Sequence, residues 1–173
     1  MLTRNTQQPL QTQFFLTPVA ETLHYSFASI FLASYNMAVS WDVEVTDEFE
    51  RWWDTLNEGE REDVRSVVGL LEEKGPTLPF PHSSGVVSSK HARMRELRIQ
   101  HEGRPYRVLY AFDPRRTAIL LIGGDKTGND RWYEENVPIA DQLYDAHLQE
   151  LERMAMENQR REDRRERDRG KKQ

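Results

Sequence analysis

The chain has 173 residues, with 24 Lys and Arg against 29 Asp and Glu and a net charge of −5. That length suits one domain of ordinary size with tails, and 37% apolar residues is more than a fully disordered chain carries. Cysteine is absent, which excludes a disulfide scaffold, a Cys-ligated zinc site and thiol catalysis, and favours a cytoplasmic address.

Charge is segregated along the chain. Residues 37–89 hold 4 basic and 12 acidic side chains, whereas residues 90–133 hold 10 basic and 5 acidic. A basic block inside an acidic protein suits a local anion site. The plainer alternative is ordinary variation over a surface.

Residues 1–36 contain only Arg4 and Glu21 as charges. They read as a loose N-terminal extension, with Met37 as the candidate natural start. Their apolar stretches are too interrupted for a membrane span or a good signal peptide. Trp41, Val43 and Val45 then alternate with acidic residues, as in a strand. Thr46 or Asp47 suits a helix N-cap, and Phe49, Trp52, Trp53 and Leu56 form the apolar stripe that follows. Asn57 with Glu60 three residues on reads as a capping box for a second helix, carrying Val64, Val67, Val68 and Leu71. Gly75-Pro76 ends it, giving an αα-hairpin with an acidic outer face.

Residues 76–92 read as a loop. Strands are expected at 94–101, 106–112 and 117–122, with turns at Glu102-Gly103 and Asp113-Pro114. In the second strand Tyr106, Val108, Tyr110 and Phe112 share one face, and Arg107, Leu109 and Ala111 the other. A charge on that second face needs a partner or a purpose. Gly123 to Gly128 reads as a flexible polar loop, and a last helix starts near Asn136 and Pro138. Residues 151–173 read as a charged tail, either fraying helix or disorder. The order is β-α-α-β-β-β-α, an α+β fold with helices on one face of a small antiparallel sheet.

The loop at 123–128 lacks the spacing of a nucleotide-binding P-loop, because Asp125 separates Gly124 from Lys126. No His pair has ligand spacing on one element, so neither a metal nor any other cofactor is expected. Lys90, His91, Arg93, Arg95, Arg98, Arg104, Arg107, Lys126 and Arg131 form a basic set able to hold phosphate. Arg95 and Arg98 equally suit structural ion pairs. Trp132-Tyr133 suits either base stacking or packing.

The run Met94-Arg95-Glu96-Leu97-Arg98, then Gly103-Arg104-Pro105-Tyr106-Arg107-Val108-Leu109-Tyr110, then an apolar strand ending in Gly-Gly-Asp-Lys-Thr-Gly, resembles the RelE/ParE toxin superfamily. Within it, the pattern is most similar to the phage-derived, HigB-like toxins of type II toxin–antitoxin systems. The resemblance spans about residues 40–148 and implies a toxin domain over 37–150. It implies a cytoplasmic, metal-independent, ribosome-dependent mRNA endonuclease that drives a 2′-OH onto the adjacent phosphate. It also implies a helix-turn-helix antitoxin, through which the complex binds its promoter DNA. By position, Arg107 matches the arginine that stabilises the pentavalent phosphate. Lys126 matches a basic residue that stabilises charge or protonates the leaving oxygen, and Tyr133 a tyrosine near the 2′-OH. The flanking Lys90, His91, Arg95, Arg98, Arg104 and Arg131 are expected to bind RNA.

Where RelE has paired lysines, this chain has Arg95, Glu96 and Arg98. Glu96 serves as a base or pairs with Arg98; both readings stay open. A ParE-like gyrase poison and a catalytically silent binding module are alternatives on the same fold.

Overall fold

The structure is a computed structural model, and it describes residues 40–170. The reading of 1–36 as a loose extension falls outside the described residues. The chain runs through strand β1 (Val43–Val45), helix α1 (Asp47–Asp54), helix α2 (Glu58–Lys74) and a 3₁₀ turn (Gly75–Thr77). Strands β2 (Ser83–Gly85), β3 (Arg95–His101), β4 (Arg104–Phe112) and β5 (Ala118–Asp125) follow, then helix α3 (Trp132–Gly170).

Local chemistry explains the hairpin of helices. The Thr46 hydroxyl accepts from the Phe49 N–H and caps α1. Asn57 accepts from the Glu60 N–H while Glu60 accepts from the Asn57 N–H, a complete capping box on α2. Gly75, at φ 54°, ends α2 in a conformation that strains other residues. Glu102 and Gly103, both at positive φ, form the tight turn between β3 and β4.

The five strands make one sheet in the order β1-β5-β4-β3-β2. The β3–β4 and β4–β5 pairings are antiparallel, as expected; β2, within the expected loop, adds a third antiparallel pair, and the edge pair β1–β5 is parallel. The helical hairpin carries the chain from β1 at one edge to β2 at the other, and the antiparallel run from β2 to β5 returns it beside β1, a contact that no local pattern announces.

Helices cover both faces rather than one. On one face Phe49, Val64, Val67 and Leu71 pack on Leu97, Ile99, Val108, Tyr110 and Leu120. On the other, Trp132, Val137, Ala140 and Tyr144 of α3 pack on Met94, Leu109, Ala111, Ile119 and Leu121. Strand alternation separates the two sets, and Arg107 lies on the α3 face with Leu109, as its position in β4 requires.

Two expectations shift at the β5–α3 junction. Strand β5 runs on through Gly123-Gly124-Asp125 instead of loosening into a loop. A Cβ on Gly123 would lie 2.0 Å from the Trp52 ring, and one on Gly124 would lie 2.7 Å from Trp132 Nε1. These glycines are present because two tryptophans close over the strand from opposite sides. A bulge between Leu109 and Tyr110, opposite the extra residue Leu121, sets that phase. Helix α3 begins at Trp132, not Asn136, so Pro138 lies inside it. Burial of Trp132 against β5 fixes the earlier start. The short strand β2 falls within the stretch 76–92 expected to be loop, because three residues are too few to show a period.

Beyond Leu151, α3 continues as an exposed helix to Gly170. Arg153 pairs with Glu150, and Arg161 with Glu157, at helical spacing. No described helix is long and apolar enough to cross a membrane.

Candidate functional site

The even positions of β3 face α3, so Glu96 and Arg98 lie beside Arg107, which pairs in register with Arg98. Glu96 is only 3% exposed. Its Oε1 accepts from the Ser84 hydroxyl at 2.7 Å and from Arg98 Nη1 at 3.1 Å. Its Oε2 accepts from the Tyr133 hydroxyl at 2.5 Å. Arg107 Nε lies 3.5 Å from the same Oε2, while Arg107 Nη1 donates to the Tyr106 carbonyl at 2.7 Å. Lys126 Nζ stands 5.6 Å from the centre of the Tyr133 ring.

One buried carboxylate therefore gathers two arginines, a phenol and a hydroxyl, with an ammonium above the phenol. The partner that Arg107 needs is Glu96, but the match is incomplete. Arg107 Nε is the one buried side-chain nitrogen or oxygen without a hydrogen bond among the described residues. Such an orphaned donor is costly and suits a site that takes an anion. An open groove of about 380 Å³ leads to Glu96 and Tyr133 between Gly85 and Ser88.

The Tyr133 phenol is pushed up from its usual value by burial and by its bond to Glu96, against a smaller opposing pull from Arg107. It remains a proton donor at neutral pH and is a poor base there. Trp132 is 3% exposed and meets Tyr133 edge-on, so it packs the helix rather than offering a stacking surface.

The nine expected site residues do not form one surface. Arg107, Lys126, Tyr133 and Arg98 come together on the α3 face. Arg95 and Arg104 project to the opposite face, because side chains alternate along their strands. Arg95 bonds the Ser83 and Tyr110 hydroxyls and the Leu78 carbonyl. Arg104 joins Asp125 at 2.6 Å to Glu60 at 3.0 Å. Lys90 and His91 both bind Asp145 and tie their loop to α3. Arg131 pairs with Glu134 at the surface. Ser84 was missed, since a serine in a Ser-rich loop carries no signal of its own. No group of three or more His, Cys, Asp or Glu able to hold a metal ion occurs among the described residues.

Residues 51–145 match the family described as Phage derived protein Gp49-like (DUF891). The chain belongs to this Gp49-like family. A Mycobacterium tuberculosis protein provisionally named toxin HigB3 is 49% identical over 96 residues, 55% of this chain and 82% of that protein. A second, provisionally named toxin HigB2 in the same organism, is 38% identical over 117 residues, 66% of this chain and 58% of that protein. Among solved structures, a double arginine mutant of E. coli toxin RelE in the free state covers 55% of this chain and 93% of its own. Its TM-score is 0.41 at 11% identity. The residues around Glu96, Arg107, Lys126 and Tyr133 all lie inside the stretch that matches the Gp49-like family.

Proposed function

We propose that this Gp49-like protein is the toxin of a type II toxin–antitoxin system and acts as an endoribonuclease on mRNA. One observation carries the reading: Arg107, Lys126 and Tyr133, separated in sequence, meet around Glu96 beside an open groove. The HigB relatives support it, being named as toxins.

The chemistry follows from the side chains. Glu96 accepts the proton of a ribose 2′-OH, and the freed oxygen attacks the adjacent phosphorus. An O2′–P bond forms as the P–O5′ bond breaks, leaving a 2′,3′-cyclic phosphate and a 5′-hydroxyl. Arg107, with its unpartnered Nε, stabilises the charge gathered on the phosphoryl oxygens. Lys126 delivers a proton to the departing 5′ oxygen, and Tyr133 holds the Glu96 carboxylate and the ribose in place. The general base is therefore Glu96 rather than Tyr133, whose phenol is held protonated.

The protein's acidic balance disfavours tight binding to free RNA, which fits mRNA presented in the ribosome. The same reading includes a cytoplasmic location and a helix-turn-helix antitoxin that carries the pair to promoter DNA. It takes residues 37–150 as the toxin domain and 1–36 and 151–173 as appendages.

The test is induction of the chain without its neighbouring genes, alongside Arg107→Ala. Growth arrest with cuts in translated transcripts is expected. Arg107→Ala should lower cleavage by roughly 10²–10³-fold, as for removal of one oxyanion donor. Arrest without RNA cleavage would instead favour a gyrase poison, and no arrest by soluble protein a silent binding module.

A further inference from the structure

A second cleft adjoins the cluster on its outer side. It lies between α2, the 80–82 segment and the end of β3, with a volume of about 310 Å³. That is at the lower end for small-molecule sites. Phe80 forms one wall and is 71% exposed, so its ring face is open to a ligand. Gln100, His82 and Ser66 supply hydrogen-bonding groups around it. Strand β2 pairs with β3 only from Arg95 to Leu97, and the last bond runs from the Arg98 N–H to the His82 carbonyl at 2.8 Å. Past that bond, β3 has no β2 partner, so Gln100 stands at an open edge.

Arg98 joins this cleft to the cluster. Its guanidinium lies 5.4 Å from the Phe80 ring centre, while its Nη1 binds Glu96 at 3.1 Å. One side chain thus touches both the carboxylate of the proposed chemistry and an exposed aromatic surface. A nucleotide with its ribose at Glu96 would have the base of an adjoining nucleotide within reach of Phe80.

We infer that this cleft is a nucleobase subsite, in which a base of the RNA strand stacks on Phe80 beside Arg98 and presents its edge to Gln100 and His82. Stacking on an aromatic ring tolerates any base, whereas an amide and an imidazole can discriminate among base edges. The subsite would therefore set nucleotide preference next to the cut. This inference rests on the endoribonuclease reading.

The experiment maps cut sites in translated transcripts after induction of the full chain as wild type, Phe80→Ala, Phe80→Trp and Gln100→Ala. Phe80 is exposed, so its variants should melt at the wild-type temperature. The expected result is cleavage slowed roughly 5- to 100-fold in Phe80→Ala, the scale of one lost base stack. Phe80→Trp should restore it, and Gln100→Ala should flatten the base preference beside the cut. Unchanged sites and rates in Phe80→Ala would overturn the subsite and leave the endoribonuclease reading intact. If the wild type cuts nothing, that reading fails. The cleft then stands or falls on whether the protein binds a 2′-O-methyl hexanucleotide in a Phe80-dependent way at low ionic strength. A Phe80→Ala variant that cuts normally but loses the antitoxin would make the cleft a protein-docking site and overturn the proposal.

Discussion

Glu60 and Glu96 are two buried glutamates on opposite faces of one sheet, and their partners are nearly the same. Each accepts from a tyrosine hydroxyl, Tyr106 at 2.6 Å for Glu60 and Tyr133 at 2.5 Å for Glu96. Each also binds an arginine, Arg104 at 3.0 Å and Arg98 at 3.1 Å. The Glu60 group is closed. Its second oxygen caps α2, and Arg104 is neutralised further by Asp125. The Glu96 group is open. It holds a second arginine with an unpartnered Nε, has a lysine nearby and lines a groove. Both carboxylates accept three hydrogen bonds, so the difference lies with the cations: Arg104 is shared by two carboxylates, whereas Arg107 keeps an Nε without a hydrogen bond, which the proposed function uses to hold an anion.

Substitution of the two glutamates should give the largest divergence. Glu96→Gln is expected to lower RNA cleavage by roughly 10²–10³-fold when assayed below its own melting temperature. Glu60→Gln should lower the melting temperature yet leave the cleavage rate of the folded protein unchanged. Equal loss of cleavage in both variants would erase the distinction.

The two strand glycines sharpen the contrast further. Gly123→Ala forces a methyl group into Trp52, whose ring lies 6.2 Å from that of Tyr106, the Glu60 donor. It should cost about 2–3 kcal/mol of stability, the scale of core overpacking, measured by denaturant unfolding. Gly124→Ala meets the Trp132 indole, next to Tyr133, and should reduce cleavage more than its stability loss explains.

The smallest effect is expected from mild acid. Hydrogen bonding from Tyr106 and the Asn57 N–H holds the Glu60 carboxyl below its ordinary range, against the opposing effect of burial. Burial pushes the Asp113 carboxyl up, but bonds from His147, Arg115 and the Thr117 N–H outweigh it and hold it low. For both groups the native value lies below the unfolded one. Their stabilisation is complete above the ordinary carboxylate range, near 4, and is lost as pH falls through the lower native values. Melting temperature should therefore change little between pH 7 and about 5 from these groups, then fall below about 4. Tyr133, held protonated, should add no limb to the cleavage profile near neutral pH.

Much of this site was legible in the chain. The alternation in β4 assigned Arg107 to the Leu109 face, and an arginine on a buried face announces a partner. The capping box at Asn57 and Glu60 was equally plain. Yet sequence could not tell that Glu60 also anchors Tyr106 and Arg104, 46 and 44 residues away. Nor could it sort the basic set. Arg95, Arg98 and Arg104 look alike in sequence, and only strand phase and neighbours send Arg98 to the Glu96 group and the others to the hairpin face.

By itself, then, the sequence determined what short-range rules govern: helix caps, turn glycines, the alternation of strands, and the family pattern around Arg107 and Lys126. Tertiary structure decided what depends on distant partners. It made the β1 pairing parallel and recruited Gly123 and Gly124 into β5 by closing two indoles over them. It started α3 at Trp132 and set Phe80 beside Arg98. Local rules act through neighbouring backbone bonds and side-chain period, which sequence records directly. Packing acts through shape across the fold, which it records only when the chain has closed on itself.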